Sequence, residues 1–212
     1  MNRTEIINKL IKKNNYKTYL EIGLDNPDHN FNKVECESKE SVDPFIEEEH
    51  NKWDHKLTPQ MWEKVNKVLT YRMTSDEFFA QNSKKYDIIL IDGLHTKEQV
   101  SKDIINSLKV LNPGGKIIVH DCLPSSEIAQ EVPRKTAGWN GDVWKAIPQI
   151  KKQGVKLNVI NCDEGCGVID YIRVKKNLFV PTEFEHDYKY FLQNKNELMN
   201  VISWEEFVKN YC

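Results

Sequence analysis

"YDIILIDGLHTKEQVSKDIINSLKVLNPGGKIIVHD", residues 86–121, is the passage from which the fold can be read. Its first apolar run, Ile88 to Ile91, is continuous rather than alternating, as expected of a strand covered on both faces. Thr96 and Gln99 then offer a capping box, and Val100, Ile104, Leu108 and Leu111 keep one apolar face, which predicts a helix. "NPGG" at 112–115 stops that helix and launches a second buried-looking run, "KIIVHD". Strand, helix and strand in this order predict a parallel pair joined by a crossover. Both runs finish in an acid and a histidine: Asp92 and His95 after the first, His120 and Asp121 at the second.

The same alternation extends upstream. "KTYLEIG" (17–23), "ESVDP" (40–44) and "TYRM" (70–73) read as strands, the last followed by a capping box of Thr74 and Glu77. Downstream, "VKLNVINC" (155–162) and "CGVIDYIRV" (166–174) are strand-like runs joined by "DEG", close enough for an antiparallel hairpin. The expectation is an α/β fold: a mostly parallel sheet with helices on both faces, closed by an antiparallel C-terminal hairpin. Residues 3–14 predict an amphipathic helix with Ile6, Ile7, Leu10 and Ile11 inward. Residues 45–69 read as a loop with one short helix after Thr58 and Pro59. The tail, 184–212, reads as helical, with Tyr188, Phe191, Leu192 and Leu198 as apolar contacts. The 212 residues are expected to form one domain with its core over about 17–173.

Composition narrows the partners. A formal net charge of -2 gives no electrostatic reason to bind a polyanion or an anionic membrane. Only four of the 30 basic residues are arginines (Arg3, Arg72, Arg134, Arg173), which leaves few bidentate forks for phosphates or bases, so nucleic acid is not expected as a partner. Five cysteines, an odd number without a compact pattern, predict reduced thiols. The first segment lacks the apolar core of a signal peptide and no stretch suffices for a membrane span, so a cytoplasmic protein is expected. The chain leaves room for a homo-oligomer.

In an open parallel sheet, ligands bind beyond the carboxyl ends of the strands. Acids gather there: Glu21 and Gly23 close the first strand, Asp43 the second, Asp76 follows the third, Asp92 the fourth and Asp121 the fifth. Asp43 lies 20 residues after Gly23, the spacing at which an acid accepts hydrogen bonds from a ribose, so a nucleoside-containing cofactor is implied. A dinucleotide needs a glycine-rich loop to cradle its pyrophosphate, but "EIGLDNPDHN" has one glycine with Asp25 and Asp28 beside it. An acidic rim suits S-adenosylmethionine, which has an adenosine, no phosphate and a positive sulfonium. An NAD or nucleotide-sugar enzyme on a similar sheet is the competing reading.

The set "YLEIG", "SVDP", "MTSDEFF", "YDIILIDGLHTKEQV", "LNPGGKIIVHDCLP", "WNGDVWKAI" and "GCGVIDYIRV", in this order over residues 17–173, resembles the class I S-adenosylmethionine-dependent methyltransferases, in particular small-molecule enzymes associated with saccharide modification. The resemblance implies a Rossmann-like seven-stranded sheet whose last strand is antiparallel. It also implies that Glu21 and Gly23 lie near the methionine and ribose of the cofactor and that Asp43 binds the ribose hydroxyls. Ser75 with Asp76 would face the adenine, and Asp92 would stand beside the transferring methyl. Asp25, Asn26 and Pro27 after Gly23 depart from the family's glycine-rich first loop.

A hydroxyl acceptor must lose its proton, and histidine is the side chain whose pKa suits that near neutrality. His95 and His120 are therefore the candidates for a general base, with Asp92 or Asp121 orienting the ring; the bland alternative is that both are hydrogen-bonded loop residues. A divalent ion held by Asp92, His120 and Asp121 is the rival, metal-dependent reading. Residues 123–147 are too long and polar for a simple connection and read as a lid over a small-molecule or saccharide acceptor. In it Trp139 and Trp144 could stack on an acceptor face, and Arg134 and Asp142 could bind its polar groups; alternatively Trp144 packs inward with Ile147.

Overall fold

The computed structural model describes residues 1–45, 58–171, 178–181, 183, 184 and 186–212. Its elements, in chain order, are α1 (Arg3–Asn14), β1 (Thr18–Ile22), β2 (Ser38–Val42), α2 (Pro59–Val68), α3 (Ser75–Gln81), β3 (Tyr86–Ile91), α4 (Lys97–Val110), β4 (Leu111–Val119), α5 (Ala146–Lys152), β5 (Leu157–Ile160), β6 (Cys166–Asp170), α6 (Tyr188–Met199), β7 (Val201–Ile202) and α7 (Trp204–Tyr211). Among the described residues one sheet has seven strands in the order β2-β1-β3-β4-β6-β5-β7. β6 runs antiparallel to both β4 and β5, while β1/β2, β1/β3, β3/β4 and β5/β7 are parallel pairs.

The continuous run in β3 has the expected cause. Ile89 and Ile91 face a core that holds Val100, Ile104 and Leu108 of α4, Ile147 and Ile150 of α5, and Phe191 and Met199 of α6. Ile88 and Leu90 face the opposite core, with Ile6, Ile7 and Leu10 of α1, Val65 of α2 and Phe207 of α7. Both faces are thus covered by helices. Each of the three fully buried α1 side chains contributes roughly 1.5–3 kcal/mol of transfer free energy, which seats this terminal helix firmly on the sheet.

Several expectations are corrected. "TYRM" is not a strand: only Tyr71 pairs, in an isolated parallel bridge to Val42, with its N–H donating to the Ser41 carbonyl at 2.9 Å. The seventh strand comes instead from the tail read as helical, where Val201 and Ile202 pair with Val159 and Ile160. The strand at "KIIV" begins earlier, at Leu111, with a register shift across "NPGG". Of the two capping boxes, Thr74 with Glu77 is complete, whereas Thr96 accepts from Gln99 N at 3.3 Å but the Gln99 side chain turns elsewhere. Leu192 is solvent-exposed rather than packed. Thr58 and Pro59 start α2 as N-cap and first helical residue. Residues 46–57 of the predicted loop and 172–174 of the last strand-like run lie outside the described residues.

Candidate active site

The carboxyl ends of β1, β2, β3 and β4 open into a cleft of about 860 Å³. The parallel ladder continues one residue past each strand: Gly23 N donates to Val42 O at 2.9 Å, Asp92 N to Ile22 O at 2.8 Å and His120 N to Ile91 O at 3.0 Å. Successive residues of a strand point to opposite faces, so this ladder fixes which side chains enter the cleft. Gly23 adopts φ +90°, and a Cβ there would collide with the Asp92 backbone, so only glycine allows β1 to turn against β3.

On one side of the cleft, Asp43 braces the loop after β1. Its Oδ2 accepts from Leu24 N at 2.7 Å and its Oδ1 from Phe45 N at 2.5 Å. Glu21 is buried, accepting from Asn30 Nδ2 at 2.8 Å and from the Tyr19 hydroxyl. Burial pushes its pKa up to about 7; those two hydrogen bonds resist the rise and the charge of Asp92 adds to it. Ser75 and Asp76 begin α3 and line the cleft, tied to α4 by Gln99 Nε2 at 3.0 and 3.1 Å.

On the other side, the acids and histidines of the two strand ends meet. His120 is 8% exposed, and its Nδ1 lies 3.1 Å from both Asp92 Oδ1 and Asp121 Oδ2. Its Nε2 lies 3.4 Å from Asp163 Oδ2 and 3.2 Å from Arg3 Nη1. His95 approaches the same acids more loosely, with Nε2 at 3.5 Å from Asp92 Oδ1 and Nδ1 at 3.3 Å from Asp121 Oδ2. Burial works to lower both imidazoles, but the surrounding carboxylates win: Asp92 and Asp121 hold His120 well above its ordinary value, and Asp121 with Asp92 raises His95. Burial likewise works to raise Asp92, yet His120, His95 and Arg3 hold it well below the usual carboxylate range. Asp121 itself has φ +61°, the left-handed region, and its Oδ1 accepts from Asn140 Nδ2 at 2.6 Å.

The segment 123–147 brings only part of its expected set to the cleft. Trp139 stacks on His95 (centroids 5.2 Å apart, 21° between planes), and its carbonyl lies 2.9 Å from His95 Nδ1. Arg134 lies over Trp139 at 5.7 Å and also lines the cleft. Trp144 does not: it is fully buried against Phe184 and Phe191, so it is core and not an acceptor-stacking surface. Asp142 is likewise structural, since its Oδ1 accepts from Lys97 N at 2.6 Å at the start of α4 and its Oδ2 pairs with Lys145. Gly141 packs so closely on the His95 carbonyl that a Cβ would collide with it, which fastens this segment to the β3 end.

Three residues of the cluster carry no local signal in the sequence: Arg3 from α1, Asp163 from the β5–β6 turn, and Asn140. The scarcity of arginines was the available clue to Arg3. Asp92, His95 and Asp121 each place a ligand atom within 4.8 Å of the others, as do His120, Asp163 and Cys166; either trio has the donor types of a metal site.

A family model described as a methyltransferase domain matches residues 11–122. Comparison with curated proteins gives no match. Among solved structures, an O-methyltransferase from Bacillus cereus in complex with SAH is similar at 14% identity and TM-score 0.53, covering 81% of this chain and 82% of its own. The O-methyltransferase TomG from Streptomyces achromogenes, involved in tomaymycin synthesis and solved with SAM, is similar at 11% identity and TM-score 0.52, covering 80% and 79%. At these identities the likeness shows a shared fold, the Rossmann-like sheet with its antiparallel strand β6.

Proposed function

Because the chain belongs to the methyltransferase-domain family, we propose that its cleft moves the methyl group of S-adenosylmethionine to a hydroxyl oxygen of a small, saccharide-like acceptor. The observation that carries the reading is the meeting of Asp92, His95, His120 and Asp121 in the same cleft as Gly23 and Asp43. The residues fit such a cofactor. Gly23 and the carboxylates of Asp43, Glu21 and Asp76 make an acidic rim without a phosphate cradle, suited to ribose hydroxyls, an adenine amine and a sulfonium. Asp43 lines the cleft beside Gly23, with its oxygens directed by the backbone N–H groups of Leu24 and Phe45.

S-adenosylmethionine supplies the electrophilic methyl when bound. The protein's part is alignment, worth roughly 7–11 kcal/mol in well-oriented systems, and removal of the hydroxyl proton. Between the two imidazoles, His95 is the better placed base: its side chain is 20% exposed, against 8% for His120, and it stands under Trp139 at the acceptor side. Asp92 and Asp121 orient it, and His120 serves as the fixed cation between the acids. Trp139 and Arg134 line the same side of the cleft, where an acceptor would lie against them. The remaining expectations, one domain acting in the cytoplasm on a small acceptor rather than on nucleic acid, belong to the same proposal; no described helix is long and apolar enough to cross a membrane.

One observation favours a second reading. Asp92, His95 and Asp121 could hold a divalent ion that lowers the acceptor's pKa directly, with His95 rather than the expected His120 as the nitrogen ligand. Chelator-treated protein that keeps full activity would remove this reading.

The first test is thermal unfolding with S-adenosylhomocysteine, with NAD in parallel. Ligand at about 100 times its dissociation constant adds roughly 2.7 kcal/mol, a rise of several degrees at roughly 2–4 °C per kcal/mol for this size. A rise with NAD alone would favour the oxidoreductase instead. Asp43→Ala should weaken S-adenosylhomocysteine binding about 10- to 100-fold, the range of hydrogen bonds to a charged group; unaltered affinity would refute the ribose role.

A further inference from the structure

We infer that Arg3 is a positioning residue of the active site: through it, helix α1 holds Asp92 and His120 in the arrangement the transfer uses. The inference rests on the methyl-transfer reading for its purpose, but its geometry stands apart from it. Three carboxylates from three elements, Asp92, Asp121 and Asp163, converge on His120. Bringing three like charges together out of water is costly unless cations accompany them. Around His120 those cations are Arg3, His95 and His120 itself, and Arg3 alone cannot lose its charge.

Arg3 is bound at both ends of its reach. Its backbone N–H donates to Asp163 Oδ2 at 2.8 Å, and its Nη1 donates to the same oxygen at 3.2 Å. Asp163 therefore acts as the anion at the N-terminus of α1 as well as a partner of the guanidinium. From there the side chain spans to Asp92, whose Oδ2 lies 3.4 Å from Nε, and to His120 Nε2 at 3.2 Å from Nη1. The buried Nε–H has no hydrogen-bond partner among the described residues, so a slight closure toward Asp92 would turn an ion pair into a hydrogen bond. The planar fork explains why arginine suits the position: a lysine could neutralise one acid but could not hold Asp163 and Asp92, the two acids that Arg3 shares with His120, in fixed directions.

The next residue ties α1 to the opposite wall. Thr4 Oγ1 donates to Asn30 Oδ1 at 2.8 Å, and Asn30 Nδ2 donates to Glu21 at 2.8 Å. One turn of α1 thereby contacts the network on the Glu21 side and the acid–histidine cluster together, while Ile6, Ile7 and Leu10 hold the helix down.

Long-range 1H–15N spectra of the imidazoles in the full chain test the assignment, because they report which ring nitrogen carries the proton and how the ring is held. Arg3→Gln should move the His120 ring-nitrogen signals while leaving those of exposed His29 in place. Arg3→Lys, which keeps the charge and loses the fork, should move them in the same direction but less far, and it carries the test should the Gln variant fail to fold. Asn8→Ala loosens α1 elsewhere, at its bonds to Lys33 and Glu35, and should leave His120 unmoved. His120 signals unchanged in folded Arg3→Lys, or moved equally by Asn8→Ala, would overturn the assignment. The thermal series with S-adenosylhomocysteine on unmodified protein separates the two ideas: no ligand response with an altered His120 in Arg3→Gln sinks the methyl-transfer reading alone, and a ligand response with unaltered His120 sinks the Arg3 inference alone.

Discussion

His95 and His120 stand at the ends of neighbouring strands and share two carboxylates, Asp92 and Asp121, yet they are held by different kinds of structure. His120 is enclosed by Asp92, Asp121, Asp163 and Arg3, contributed by the ends of β3 and β4, the β5–β6 turn and α1. His95 has acids on one side and, on the other, a loop: the Trp139 ring and carbonyl, and Gly141 against its own carbonyl. The first is fixed by the scaffold. The second is fixed only as well as residues 123–147 are, which suits a group that must meet a changing ligand.

The comparison predicts unequal costs. His120→Ala should remove the cation from a buried cluster and destabilise the protein by about 3–5 kcal/mol, whereas His95→Ala, on a more accessible side chain, should cost only about 0.5–1.5 kcal/mol. Urea midpoints of the two variants measure this directly, and equal losses would break the distinction. Turnover should rank the other way, with His95→Ala the more damaging per kcal/mol of lost stability.

A somewhat smaller effect should appear with pH at Glu21, the third titrating group beside Asp92. Its folded pKa of about 7 stands above the ordinary 4.5, so between those values the native state holds a proton that the unfolded chain has released. Stability should therefore fall as pH rises from about 4.5 to 7, by roughly 3 kcal/mol in all. Glu21→Gln should flatten this slope; parallel urea curves of the two proteins at pH 5 and pH 8 check it, and an unchanged slope would assign it elsewhere. Trp139→Ala should affect folding as little as His95→Ala does, about 0.5–1.5 kcal/mol for the lost stacking, and be visible mainly as a change in the His95 ring signals. If those signals stay put, the loop does not hold His95.

Much of the cleft is legible in the sequence because it is built from consecutive strand ends. The Gly23–Asp43 spacing and the acid–histidine pairs at 92–95 and 120–121 are local patterns, and the parallel topology brings them to one edge of the sheet. Arg3 and Asp163 were not readable, since they meet across 160 residues of chain and neither sits in a pattern that announces its partner. Trp144 misled for another reason: in "GDVWKAI" the polar Asp142 and Lys145 mask an inward stripe of Val143, Trp144 and Ile147, which only the packed core distinguishes from an exposed one. "TYRM" has strand propensity, but only Tyr71 comes within pairing reach of β2, and the tertiary arrangement overrides the preference. A two-residue strand such as β7 is too short to show any period.

That short strand also bears on self-association. A sheet edge with a long row of unused N–H and C=O groups is a template on which another chain can extend the ladder. Here one margin ends in two residues, Val201 and Ile202, and the other, β2, carries a charged Lys39 and gives its Ser41 carbonyl and an onward bridge to Tyr71. Among the described residues, neither margin offers a long free run of N–H and C=O groups. A two-residue margin on one side and a charged, partly bridged one on the other leave little backbone for the edge-to-edge growth that leads to fibres.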